Sequence, residues 1–185
     1  MPAAELWTVE EVRALPSDGN RYEVVDGELL VTPAPTFDHQ DAVGSLFVRL
    51  REYTLREGVG YAAVSPADIT LGPRTLVQPD LFVAALVDGR RPREWSDVER
   101  LLLEVEVLSP STARADRGVK RALYQRQGVG EYWIVDLDAR LVERWRPEDQ
   151  RPEILPDVLD WSPEPGREPL RIELAGFFEQ VAPRG

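Results

Sequence analysis

Four residues carry the chemistry open to this chain: Asp80, Glu104, Glu106 and Lys120. Asp80 opens the apolar run PDLFVAALV, and Glu104 and Glu106 interrupt LLLEVEVLS, so three carboxylates punctuate segments whose composition predicts buried strands. Residues i and i+2 of a strand share a face, which places Glu104 and Glu106 together and turns Leu103, Val105 and Val107 the other way. Ionised carboxylates crowded into a low-dielectric place repel one another and are costly to desolvate unless a cation neutralises them. Hard oxygen donors suit magnesium or manganese, whereas the absence of cysteine and the single histidine argue against a soft zinc site.

Lys120 is the only lysine among 22 basic residues; arginine stands at every other cationic position. The ammonium is a compact, mobile charge, and arginine a flat fork that stays charged, so the two are not interchangeable. A divalent metal, two or three acids and a lysine form a constellation suited to phosphodiester hydrolysis. The metal polarises phosphate and activates water, and the lysine positions the attacker or offsets charge. Each residue also has a plainer reading. Glu104 and Glu106 could face water from an edge strand, Asp80 could serve a turn after Pro79, and Lys120 could be an exposed helix lysine.

The elements that must position these residues are legible around them. Thr8 and Glu11 predict a capping box over a short helix at residues 8–14, ended before Pro16. RYEVV and ELLVT flank Asp26-Gly27, the dipeptide of a type I′ turn, so a hairpin is expected over residues 21–32. Apolar residues at three- and four-residue spacing predict an amphipathic helix from Phe37 to Glu57, closed by Gly58, with His39 at its start. GYAAV and ADITL read as two strands or one bent strand, followed by a Gly72-Pro73-Arg74 turn and the strand behind Asp80. Residues 88–97 read as loop. LLLEVEVLS reads as the central strand, and a helix from about Ala115 to Gln127 carries Lys120, Leu123 and Tyr124 and stops at Gly128. EYWIVD and RLVERW form a second expected hairpin, with Trp133 and Trp145 as packing residues. The tail holds a short strand at LRIEL and docks through Phe177 and Phe178.

The words RYEVVDGELL, VQPDLFV, EVLSPST and DRGVKRALYQRQGVGEYWIVD, in this order and spacing over residues 21–146, resemble the PD-(D/E)XK nuclease superfamily and, more closely, its Uma-two branch of "putative restriction endonucleases". The resemblance implies a restriction-endonuclease-like α/β fold: a mixed central sheet flanked by helices, with an N-terminal β-hairpin and a short C-terminal extension. It implies a magnesium- or manganese-dependent endonuclease acting on DNA. Carried over, Asp80 is the first metal ligand, Glu106 the second, and the Val107 carbonyl completes the shell. The superfamily pattern puts its lysine two residues after Glu106, where this chain has Leu108; in the Uma-two branch the matching lysine is Lys120, on the following helix. A second register makes Glu104 the ligand, with Glu106 in the lysine's place. A histidine at the position of His39 faces the site in the family, which implies a role for His39 in binding phosphate, holding water or assisting the metal; its plainer reading is a helix-end histidine with a local hydrogen bond. Glu23 matches a recurrent acid, and Glu23, Glu104 and Tyr124 are expected behind the ligands.

Composition bounds this reading. With 185 residues, 43% hydrophobic and 30% charged, the chain is expected to form one soluble domain over residues 1–185. No apolar run approaches the ~20 residues of a membrane span. The N-terminal MPAAELWTVEEVRALP lacks a basic-then-apolar leader pattern, and the lack of cysteine fits a cytoplasmic protein. A net charge of −11 sits awkwardly with a polyanionic substrate. Arg114, Arg117, Lys120, Arg121 and Arg126 are expected to offset it locally. The acidic surface also supports an alternative, a catalytically inactive nuclease fold serving interaction or oligomerisation; hydrolysis of a smaller phosphate ester is a third reading. A homodimer would supply the two sites that duplex cutting needs.

Overall fold

The computed structural model describes residues 6–183; the first five residues of the segment read for a leader lie outside it. Thr8 starts α1 (Val9–Arg13) with the expected capping box: its hydroxyl accepts from the Glu11 amide at 3.3 Å, and the Glu11 carboxylate accepts from the Thr8 amide at 2.8 Å. Asp26 (φ 51°) and Gly27 (φ 88°) both take positive φ, the signature of a type I′ turn, and join β1 (Arg21–Val25) to β2 (Glu28–Thr32) with Arg21 opposite Thr32.

The helix α2 runs over the expected Phe37–Glu57, with the Thr36 side chain accepting from the His39 amide and Gly58 closing it at φ 65°. Its Ala42, Val43, Leu46, Leu50 and Tyr53 form one buried stripe. Each large side chain there contributes about 1.5–3 kcal/mol by leaving water.

GYAAV and ADITL prove to be separate strands in separate sheets. β3 (Tyr61–Val64) pairs with β6 (Leu81–Ala84), while β4 (Ile69–Gly72) turns back on β5 (Thr75–Val77). β1, β2, β4 and β5 make a four-stranded sheet in the order β2-β1-β5-β4. The loop expected at residues 88–97 is closed at its start by a bridge between Val87 and Arg90 and contains a 3-10 turn at Trp95–Asp97.

The central sheet has six strands in the order β10-β9-β8-β7-β6-β3, formed with β7 (Leu101–Val107), β8 (Glu131–Asp136), β9 (Leu141–Trp145) and β10 (Glu153–Leu155). Its β7–β8 pair is parallel and its other pairs antiparallel, so the sheet is mixed. Parallel neighbours require a long crossover. The crossover here is helical and not uniform: α3 (Ala113–Ala115), a π-helical stretch (Asp116–Lys120) and α4 (Arg121–Arg126) follow one another. The sequence predicts one helix over Ala115–Gln127; the π stretch is a local widening that periodicity does not reveal, and such bulges concentrate at functional sites.

One face of the sheet, with Leu81, Val83, Leu103, Val105, Val107, Trp133 and Val135, packs on α2 and on the C-terminal α5 (Leu174–Val181). Phe177 and Phe178 dock there as expected, beside the ribbon of β11 (Val158–Trp161) and β12 (Leu170–Glu173). The other face carries Phe82, Tyr132, Ile134 and Trp145 and is covered by Leu123 and Tyr124 of α4 together with Val25, Ile69 and Val77 of the smaller sheet. Trp133 and Trp145 are both buried, as their packing role requires. No helix among the described residues is long and apolar enough to cross a membrane.

Candidate active site

β7 lies between β6 and β8, and all seven of its residues are buried, so Glu104 and Glu106 are not the water-facing acids of an edge strand. The register sets Phe82 and Tyr132 on either side of Glu104, and Leu81 opposite Val105. One step further along the pleat brings Asp80, immediately before β6, against the Glu106 end of β7. There Asp80 Oδ2 accepts the Val107 amide at 2.9 Å.

Lys120 reaches the same place from the π stretch. Its Nζ donates to Glu106 Oε1 at 2.9 Å, lies 2.8 Å from Glu23 Oε2 and is 3.7 Å from Asp116 Oδ1. The Glu23 contact is an ion pair rather than a directed hydrogen bond, since Oε2 has no hydrogen-bond partner. Glu23 is anchored on its other oxygen, where Oε1 accepts the Gln78 amide at 2.8 Å. The crossover itself is pinned to the sheet: the Tyr132 hydroxyl donates to the Asp116 carbonyl at 3.2 Å, and the Tyr124 and Tyr132 rings stand 4.8 Å apart.

Asp80 is held from the other side. Arg21 Nη1 donates to its Oδ1 at 2.7 Å, and His39 Nε2 lies 3.1 Å from its Oδ2. The structure therefore brings Asp80, Glu106, Lys120, His39, Glu23 and Glu104 into one buried cluster. Val107 touches it through its amide. Tyr124 stands behind Glu104 with a buried, unpartnered hydroxyl, and both Glu104 oxygens are likewise buried without partners. Two members, Arg21 and Asp116, are not among the residues singled out from the sequence. Both lie within matched words, RYEVVDGELL and DRGVK, and Asp116 stands four residues before Lys120 on a predicted helix. That spacing is a signal for an ion pair.

Five carboxylates, of Glu23, Asp80, Glu104, Glu106 and Asp116, thus share a buried cluster with the fixed cations Arg21 and Lys120. Burial drives the Glu104 carboxyl well above its ordinary range, and the neighbouring Glu106 adds to the shift. Burial also raises Glu106 against the opposing pull of Lys120, and raises Asp116. Asp80 goes the other way: burial works to raise it, but the His39 contact and the Arg21 charge outweigh that and hold it below the usual carboxylate range. Burial works to discharge Lys120, and the carboxylates of Glu106 and Glu23 more than reverse this, so the side chain stays an ammonium.

These donors fit a hard divalent cation in kind. They are oxygens, they outnumber the cationic side chains, and the Glu104 pair is left without partners. Among the described residues no three His, Asp or Glu side chains form a ready-made metal cage.

The basic surface expected around Lys120 is largely neutralised. Lys120 is buried, Arg117 pairs with Asp136 and Glu143, Arg126 pairs with Asp26, and Arg121 stacks over Trp145 at 4.9 Å; of the five, only Arg114 is exposed with no such partner among the described residues. Arginines spaced along a helix read as a cationic face, and tertiary neighbours from β8, β9 and the β1–β2 turn turn most of them into ion pairs or stacking contacts.

No curated protein matches the chain. Among solved structures, a "putative nuclease belonging to DUF820" from Anabaena variabilis superposes with a TM-score of 0.73 at 18% identity, covering 95% of this chain and 99% of that one. The likeness shows a shared fold. A family model described as "Putative restriction endonuclease" matches residues 9–175, which span every element of the site, and the chain belongs to that family, Uma2.

Proposed function

We propose that this protein is a magnesium- or manganese-dependent endonuclease that hydrolyses DNA phosphodiester bonds. The observation that carries the reading is the meeting of Asp80, Glu106 and Lys120, from a strand start, a strand end and a crossover helix, in one buried acidic cluster. Membership of a family described as "Putative restriction endonuclease" supports it.

In this reading Asp80 and Glu106 hold the cation, with the Val107 carbonyl as a third donor. When bound, the cation supplies Lewis-acid polarisation of the phosphate and a lowered pKa for attacking water. The protein's own groups do the rest. Lys120, kept as an ammonium by Glu106 and Glu23, is no proton acceptor; it fixes the Glu106 carboxylate and offsets negative charge gathering at phosphorus. His39 fixes the second Asp80 oxygen at the site's edge, and Glu23 anchors Lys120. Glu104 and Tyr124 stand behind these contacts. A homodimer would bring two such sites to a duplex.

The test is a calorimetric titration with Mg²⁺ and Mn²⁺ beside plasmid nicking. Wild type is expected to bind and nick. Asp80→Asn and Glu106→Gln are expected to lose the binding heat and to nick at least about a hundredfold more slowly. Binding without nicking would favour an inactive interaction module, the reading that the net charge of −11 supports. Undiminished binding in both variants would exclude this ligand assignment.

A further inference from the structure

The two cations of the cluster are placed at different depths. Lys120 is 2% exposed and lies within 4 Å of three carboxylates, so it is the deeper of the two. Arg21 is 19% exposed, against 4% for the Asp80 it binds. It stands at the first residue of β1 and shares Asp80 with His39, which is 12% exposed. Its grip on Asp80 is through Nη1 alone, while its Nε is buried with no hydrogen-bond partner and lies 3.9 Å from Glu23 Oε2. A guanidinium carries five donors in a rigid fork that suits two parallel bonds to a carboxylate or a phosphate. At Asp80 most of that fork is unused.

We propose that Arg21 is a latch on Asp80: it competes with a divalent cation for the carboxylate and, once displaced, presents its fork to a non-bridging oxygen of the phosphodiester. This rests on the nuclease reading above and deepens it. A cation taken at Asp80 Oδ1 meets the oxygen that Arg21 Nη1 occupies, so binding one displaces the other. The freed group is the more exposed of the two fixed cations described in the cluster, and after release from Asp80 its nearest described carboxylate is Glu23, 3.9 Å from Nε. Its fork matches phosphate geometry in a way that an ammonium does not. Cation loading and substrate capture are thereby one event, and an unloaded site holds DNA less well.

The experiment is Mn²⁺ titration calorimetry on wild type, Arg21→Met and Arg21→Lys, with nicking of supercoiled plasmid in Mn²⁺ as the second readout and circular dichroism melting as a check on folding. Arg21→Met is expected to bind Mn²⁺ roughly tenfold more tightly, the order of effect that one adjacent guanidinium has on a carboxylate's affinity for a cation. The same variant is expected to nick about a hundredfold more slowly. Arg21→Lys keeps the charge and loses the fork, so it is expected to bind Mn²⁺ within a few-fold of wild type and still nick slowly. Mn²⁺ binding in Arg21→Met alone also supports the latch. Unchanged or weaker binding in Arg21→Met, where wild type binds, overturns the latch and leaves the nuclease reading standing. Tighter binding with unchanged nicking overturns the phosphate contact. Should Arg21→Met fail to fold, wild-type nicking by Arg21→Lys overturns the proposal and slow nicking supports it. No Mn²⁺ heat from any of the three overturns both readings.

Discussion

Alternate residues of β7 are buried to the same degree and live in opposite environments. Leu103, Val105 and Val107 meet the hydrocarbon of α2 and α5; Glu104 and Glu106, 0% and 1% exposed, meet Asp80, Glu23, Lys120, Tyr124 of the crossover and Tyr132 of β8. The leucine face contributes stability with every square ångström it hides. The glutamate face costs stability, since desolvated carboxylates repel and two fixed cations cannot neutralise five acids. A strand that carries both shows that burial alone does not identify structural residues. Acids kept where packed hydrocarbon would serve the fold better single out a candidate site.

The comparison is broken most forcefully at Lys120. Lys120→Met leaves Glu23, Glu106 and Asp116 without their shared cation, and a loss of about 3–5 kcal/mol is expected in urea unfolding at pH 7. Lowering the pH should shrink this loss, because protonation removes the stranded charges, and Glu106 and Asp116 are already raised toward protonation by burial. An equal loss at pH 5 and pH 8 would show that Lys120 acts by packing alone.

On the opposite face, Leu103→Ala should cost about 2–5 kcal/mol through lost transfer energy and a residual cavity. That cost should not move with pH, since no titrating group changes environment. The contrast in pH slope between the two variants, more than their size, separates the two faces.

Glu104→Gln runs in the opposite direction. The folded protein raises this carboxyl, so it gives up its proton in the unfolded chain at lower pH than in the fold. Wild type therefore loses stability as pH rises above the unfolded value of ~4.3, by at most about 1.4 kcal/mol per pH unit from this one group. The glutamine variant lacks that slope. It should be more stable than wild type by about 1–3 kcal/mol at pH 8 and by less at pH 5, measured in the presence of a chelator. A variant less stable than wild type at both values would mean that Glu104 is stabilising.

The smallest effect belongs to an exposed pair. Arg126 and Asp26 are 2.7 Å apart but half or more exposed. Arg126→Ala should change unfolding by no more than about 1 kcal/mol and by less at high salt, because water and ions screen such pairs. A cost approaching that of Lys120→Met would erase the distinction between charges in the cluster and charges on the surface.

Local rules carried much of this structure without help. The Thr8 capping box, the Asp26-Gly27 turn, and the limits of α2 and of β7–β9 follow from residue types a few positions apart, because caps, turns and amphipathic stripes are set by neighbours along the chain. The Asp80, Glu106 and Lys120 cluster was legible because burying acids in apolar runs requires compensation wherever the partners come from. The partners themselves depended on the fold. Arg21 and Asp80 lie 59 residues apart, and only the packing of the β1 sheet against the start of β6 makes them neighbours. The π stretch under Lys120, the separation of β3 and β4 into different sheets, and the neutralised arginines of the crossover are likewise decided by long-range contacts. A single sequence displays charge and periodicity along one dimension; which opposite charges meet is determined by the free energy of the whole packed chain.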